Sequence, residues 1–171
     1  MMHYYLLTFS TIILLVSCGP SPKDLIIKNI GVEEYQRLME MNPNDFDQSP
    51  DGLRKYSGDH SLVEMIVHQY LDVNDLSGSR ARNIHWHLGQ IHAFNGNYEA
   101  AISEMKLSYD GGTVSWECYV SGTIAFLERD KTKLQEAYDS LYNQNNIMNI
   151  EVLDRLIQNF DLSYKDAYSQ F

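Results

Sequence analysis

The residues best suited to chemistry stand in Ile84-His85-Trp86-His87-Leu88-Gly89-Gln90-Ile91-His92, three imidazoles within one short stretch. Neutral imidazole is a common ligand of transition metals, so spacing decides whether this cluster could hold an ion. On a helix His85 and His92 share a face but stand two turns, about 10 Å, apart along the axis. His87 points elsewhere, and the i, i+4 pairing of zinc-binding helices is absent from the cluster. The spacing predicts histidines that pack or face a partner, with no metal and no cofactor. A metal- or small-ligand-binding protein built on this cluster is the second reading of the chain. Asp47, Ser49, Asp51 and Gly52 fit the early positions of a calcium loop, but Gly58 occupies the place of its bidentate glutamate, which excludes an EF-hand. HExxH, GxSxG, CxxC and Gly-rich phosphate loops are all missing from the sequence. Glu128 with Asp130, and Asp161 with Asp166, flank breaks in the helical pattern and read as caps or solvated ends. No catalytic residue is assigned, and the chain is expected not to be an enzyme.

The elements that carry these residues belong to a chain of 171 residues, 44 % of them apolar, enough for one hydrophobic core. The formal net charge of −10 lies wholly beyond residue 17. With no basic stripe to interrupt it, such a surface repels phosphate backbones, so nucleic acid is excluded as a partner.

Residues 4–16 are uncharged and too short for a membrane-spanning helix, but long enough for the core of a secretory signal. They run into Leu15-Val16-Ser17-Cys18-Gly19, which resembles the lipobox of bacterial lipoproteins, although Met1 to Tyr5 hold no Lys or Arg. The resemblance implies a signal peptide over 1–17, a lipid thioether on Cys18 and a short tether over 18–23. It also implies an address in the cell envelope, on the periplasmic face of the outer membrane, since Gly19 rather than Asp follows the cysteine. Cys118 is then the one thiol left, and no disulfide framework forms.

In the mature chain, residues 24–41 show a modest helical pattern and the turn formers of 42–52 predict a loop. Ser61 with Glu64 has the form of a capping box and predicts a helix through about Leu71. From Arg82 onward, positions 33 apart agree. Ile91, Ile124 and Ile157 recur, as do Phe94, Leu127 and Phe160, and Gly89 with Gly122. Capping residues recur at Asn97, Asp130 and Ser163. A period of that length predicts helix–turn–helix units over about 82–110, 115–143 and 150–171, which bury their faces by stacking.

Leu88-Gly89, Gly96-Asn97-Tyr98 and Ala101-Ile102 resemble the tetratricopeptide repeat, clearly in the first unit and weakly in the next two. Small Gly89 and Ala101 allow two antiparallel helices to touch, and Gly96 allows the turn between them. The repeat's tryptophan place is held by His85, and Cys118 takes the equivalent inward place, which predicts a buried inert thiol. The segments Tyr119 to Asp130 and Tyr164 to Tyr168 also resemble small uncharacterised bacterial proteins, a likeness that implies no activity. The tetratricopeptide resemblance implies an all-α fold of antiparallel helix pairs, stacked as a short right-handed array in a single domain over 24–171. It further implies a concave groove lined by Trp86, Gln90 and Phe94, then Tyr119, Thr123 and Leu127. The function implied is that of a scaffold or adaptor, lipid-anchored to a membrane, whose groove takes a protein or peptide segment.

Overall fold

The computed structural model describes residues 19–109, 112–144 and 147–169. The fold is all-α, ten α-helices packed in adjacent pairs with no strand among the described residues. The helices are α1 (Pro22–Ile30), α2 (Val32–Met39), α3 (Pro43–Gln48), α4 (His60–Val73), α5 (Arg82–Phe94), α6 (Tyr98–Leu107), α7 (Val114–Leu127), α8 (Lys131–Tyr142), α9 (Ile147–Gln158) and α10 (Tyr164–Tyr168). Two 3₁₀ turns, Leu53–Tyr56 and Gly78–Arg80, flank α4.

The first half corrects three sequence expectations. The tether over 18–23 gives way to helix at Pro22, because Ser21 and Asp24 form a reciprocal capping box and proline suits the first helical position. The single pattern over 24–41 is two helices, broken at Gly31, whose φ of 86° a residue with a side chain resists. The supposed loop over 42–52 contains α3. Asn42 caps it by accepting from the Asp45 N–H at 3.0 Å, and Pro43 starts it, so two turn formers here open a helix. A fourth difference concerns α4, which is capped by Asp59 rather than Ser61: the Asp59 carboxylate accepts from the Leu62 N–H at 3.0 Å. Phe46 stacks on Tyr70, and with Ile26, Leu38, Leu53, Val63 and Ile66 they form one core.

The second half follows the 33-residue register closely. Asn97, Asp130 and Ser163 all stand at helix N-caps, Asp130 and Ser163 with a side-chain bond to the backbone. The turns repeat too. The Asn97 N–H donates to the His92 carbonyl at 2.9 Å and the Asp130 N–H to the Ala125 carbonyl at 2.8 Å. Both are the wrap-around bond of a Schellman C-cap, which puts the residue before the cap in the left-handed region. Gly96 takes it at φ 79°, and Arg129, one period on, at φ 59°. Within the first pair His85 meets Glu104 and Gly89 meets Ala101, so α5 and α6 run antiparallel. A Cβ on Gly89 would lie 2.7 Å from Met105 Cγ and 3.1 Å from the Ala101 carbonyl oxygen, which is why the position is glycine. In the second pair a Cβ on Gly122 would lie 3.1 Å from Ala137 and 2.8 Å from Leu153 of α9.

Helix α5 joins the halves. Ile84, Leu88 and Ile91 share one face and enter the N-terminal core, while Trp86 and Ala93 enter a second core built by α6 to α10.

Candidate functional site

The six residues expected to line a groove are brought together, but not as an open surface. Trp86, Tyr119, Thr123 and Leu127 are buried, Trp86 with only 4 % of its surface exposed, and Gln90 and Phe94 are half-buried. The Trp86 ring meets Trp116 at 5.2 Å and Tyr119 at 4.9 Å between centroids. Phe94 meets Tyr164 and Tyr168 edge-on at 5.3 and 5.4 Å. The Tyr164 N–H donates to the Tyr98 hydroxyl at 3.0 Å. This corrects the expectation of an open groove, and the reason is physical. The apolar face of α10 (Tyr164, Ala167, Tyr168) needs the burial that stacked units give each other, and it finds that burial by closing back onto α5. Residues 22–73 cover the opposite face of α5, as a preceding unit would.

The three histidines of α5 turn to three different helices. His87 Nδ1 lies 2.6 Å from Asp47 Oδ1 on α3, and His85 Nδ1 lies 2.7 Å from Glu104 Oε2 on α6. His92 faces α4 and is fully buried. Neither of its ring nitrogens has a hydrogen-bond partner, and its Nε2 stands 3.8 Å from Glu64 Oε2. They do not converge, as the spacing indicates.

A second histidine group, which the sequence reading passed over, lies on α4. His60, Glu64 and His68 are spaced i, i+4, i+8 and so share one face, the spacing that was sought on α5 and not found there. His68 Nε2 lies 3.1 Å from Glu104 Oε1, so Glu104 joins His68 of α4 to His85 of α5. A carboxylate only accepts, so the imidazole nitrogens facing it carry the protons. Burial pushes the Glu104 carboxyl up, yet the hydrogen bonds from His68 and His85 outweigh it and hold its pKa at about 2. The same bond raises the pKa of His68, while burial lowers that of His92. His60 completes the seam, its ring 6.4 Å from that of His92. Among the described residues no group of three or more His, Cys, Asp or Glu side chains could hold a metal ion.

On the outer edge two clefts meet. One, of about 400 Å³, lies between α7 and α8, lined by Val114, Glu117, Cys118, Ser121, Lys133, Glu136, Ala137 and Ser140. The other, of about 680 Å³, is lined by Leu76 to Gly78, His85, Lys106, Leu107, Tyr109 and again Glu117. Leu107 and Val114, on their rims, are 54 % and 65 % exposed. Cys118 is half-buried in the first cleft rather than sealed in the core, with Gln144 Nε2 3.6 Å from its sulfur.

Cys18 and the rest of the expected signal lie outside the described residues. No helix among the described residues is long and apolar enough to cross a membrane. No protein-family model, curated protein or solved structure matches the chain.

Proposed function

We propose that this protein is an interaction module, a tetratricopeptide-like scaffold or adaptor held at a membrane by a lipid on Cys18 and acting by binding rather than catalysis. The observation that carries the binding role is the outer edge of α6, α7 and α8. Two clefts there share Glu117, and two large apolar side chains are left in water beside them. Exposed apolar groups rimmed by polar ones are what a partner covers. Since α10 occupies the aromatic face, this edge takes the groove's place in the proposal.

The complementary partner is a peptide segment with apolar anchors and basic flanks. Lys133 is already paired with Asp130 at 3.0 Å, and among the described residues Glu117 and Glu136 make no salt bridge, so the α7–α8 cleft carries excess negative charge on a chain of net charge −10. Gly19 to Ser21 can span at most about 11 Å. A lipid on Cys18 would therefore hold α1 close against a bilayer, on the periplasmic face of the outer membrane by the lipobox reading.

The test is affinity capture from solubilised membranes with three baits: wild type, Leu107→Asp and Val114→Asp. Proteins held by wild type in low salt and lost with both variants, at unchanged helical content, support the edge as the binding surface. Equal capture by all three baits rejects it.

A further inference from the structure

A cavity of about 180 Å³ lies between the 3₁₀ turn Leu53–Tyr56 and α5. Leu53, Ile91 and Phe94 line its apolar side, and Arg54, Ser57, His87 and Gln90 its polar side. Its charge sets it apart. Both edge clefts include Glu117, the cleft at Gly31 includes Glu33 and Glu34, and the cleft beside Asn97 includes Glu64, Glu99 and Glu104. The lining of this cavity holds no acid and one permanent cation, Arg54, on a chain of net charge −10.

One buried residue fixes two of its polar groups. The Asp47 carboxylate of α3 accepts from His87 Nδ1 at 2.6 Å, and the Asp47 carbonyl accepts from Arg54 Nε at 3.2 Å. The Gln48 amide donates to the second carboxylate oxygen, so the Asp47 charge is engaged by its neighbours and is not part of the lining. Arg54 makes no salt bridge among the described residues, and of its guanidinium only Nε is hydrogen-bonded there. Its two Nη groups keep the parallel donors that match the two oxygens of a carboxylate.

We propose that this cavity binds a small carboxylate with an apolar body, of about the size of benzoate. Its layout is graded in the sense such a molecule needs. Arg54 and Ser57 are exposed and form the mouth, whereas Leu53 and Ile91 are buried and form the floor beside half-buried Phe94. The carboxylate pairs with Arg54 at the mouth, and the body leaves water against the apolar side. Size agrees, since a dry apolar cavity of about 150 Å³ takes benzene. No residue is shared with the two edge clefts, so the site stands independently of the binding role proposed above. Of the three α5 histidines only His87 takes part.

The test is calorimetric titration of the purified full-length chain with sodium benzoate and with benzamide, its neutral counterpart of nearly the same shape. The buffer holds about 0.15 M salt, where charges beyond about 8 Å are largely screened. Benzoate is expected to bind at one site with a dissociation constant of about 1 mM or tighter, and benzamide at least about tenfold more weakly. Arg54→Gln, at an exposed position, should keep the fold and erase the difference between the two probes. Ser57→Trp, also exposed, should close the mouth and remove binding at unchanged helical content. Lys133→Gln, in the α7–α8 cleft, should bind benzoate as wild type does. Absence of benzoate binding, benzamide binding as tightly as benzoate, or wild-type benzoate affinity in Arg54→Gln or Ser57→Trp overturns the proposal. A loss in Lys133→Gln as large as that in Arg54→Gln overturns it as well, by placing the site elsewhere.

Discussion

Trp86 separates a filled face from an open one. In the structure its ring is 4 % exposed and wedged against Trp116 and Tyr119. Trp86→Ala deletes a whole indole from a packed core, which costs about 3–5 kcal/mol according to how far the surroundings collapse. Collapse is poor here because both neighbours are themselves fixed. The Trp116 Nε1–H donates to the Ser108 carbonyl at 2.7 Å, and the Thr123 hydroxyl donates to the Tyr119 carbonyl at 3.0 Å one turn along. Each lost aromatic pair adds about 0.5–1.5 kcal/mol, so the upper half of the range, about 4–5 kcal/mol, is expected. With a urea m-value of about 2 kcal/mol/M, the midpoint followed by far-ultraviolet circular dichroism should fall by about 2 M. Val114→Ala, on a side chain 65 % exposed, should stay within about 0.5 kcal/mol and serves as the control. A Trp86→Ala midpoint within error of wild type would show the indole lying on an open face. The account of α10 as the filler of that face would then be wrong.

Gly89→Leu should destabilise by about 1–3 kcal/mol or more in the same urea assay, since even a Cβ there meets Met105 and the Ala101 carbonyl; a neutral result refutes the close crossing of α5 and α6. Glu104 has a folded-state pKa of about 2 against an ordinary 4.5, so its contribution is full above about pH 4.5 and is lost as pH falls toward 2. Urea stability of wild type and Glu104→Gln should accordingly differ most between about pH 4.5 and 6.5 and converge toward pH 2, whereas a constant gap would show that Glu104 carries no pH-linked stability. His68, raised by the same contact, works in the other direction: its contribution is full below about pH 6.5 and is lost as pH rises through the raised value. Glu104→Gln should abolish that alkaline loss, read from the same titration. Cys18→Ser should release the protein from the membrane fraction or leave an unprocessed precursor, and a processed, membrane-bound variant would refute the lipid anchor.

The register of 33 residues could be read from the chain because it is written in backbone chemistry. Schellman turns and N-caps demand particular residue types at fixed offsets, and Gly96-Asn97, Arg129-Asp130 and Ser163 supply them. Arg129 shows the limit of that code. A glycine would take φ 59° without strain, and arginine stands there because its guanidinium donates to the Phe160 and Leu162 carbonyls and covers the Phe126 ring at 5.0 Å. The two carbonyls are more than thirty residues away in the chain, beyond any local signal. The boundaries that misled are of the opposite kind. Asn42-Pro43 and Gly31 are turn formers by composition, and whether they end a helix or begin one depends on what the next four residues can bury.

The same distinction governs the candidate sites. Spacing alone is enough to show that His85, His87 and His92 cannot meet, and the structure sends them to Glu104, Asp47 and Glu64. The pairing of α4 with α5 has no counterpart in local spacing, so the meeting of His60 and Glu64 with His92 emerges only when both helices are in place. The filled aromatic face is the clearest case. Five residues make too short a helix to persist alone, so α10 owes its order to what it packs against. Its Tyr164 is wholly buried and its backbone is held by Tyr98, 66 residues earlier. Trp86 and Phe94, flanking Gln90 on one stripe, are aromatic for a reason that the sequence does reveal, a face that needs covering. In a long array the cover would be a partner, and here it is α10 of the same chain.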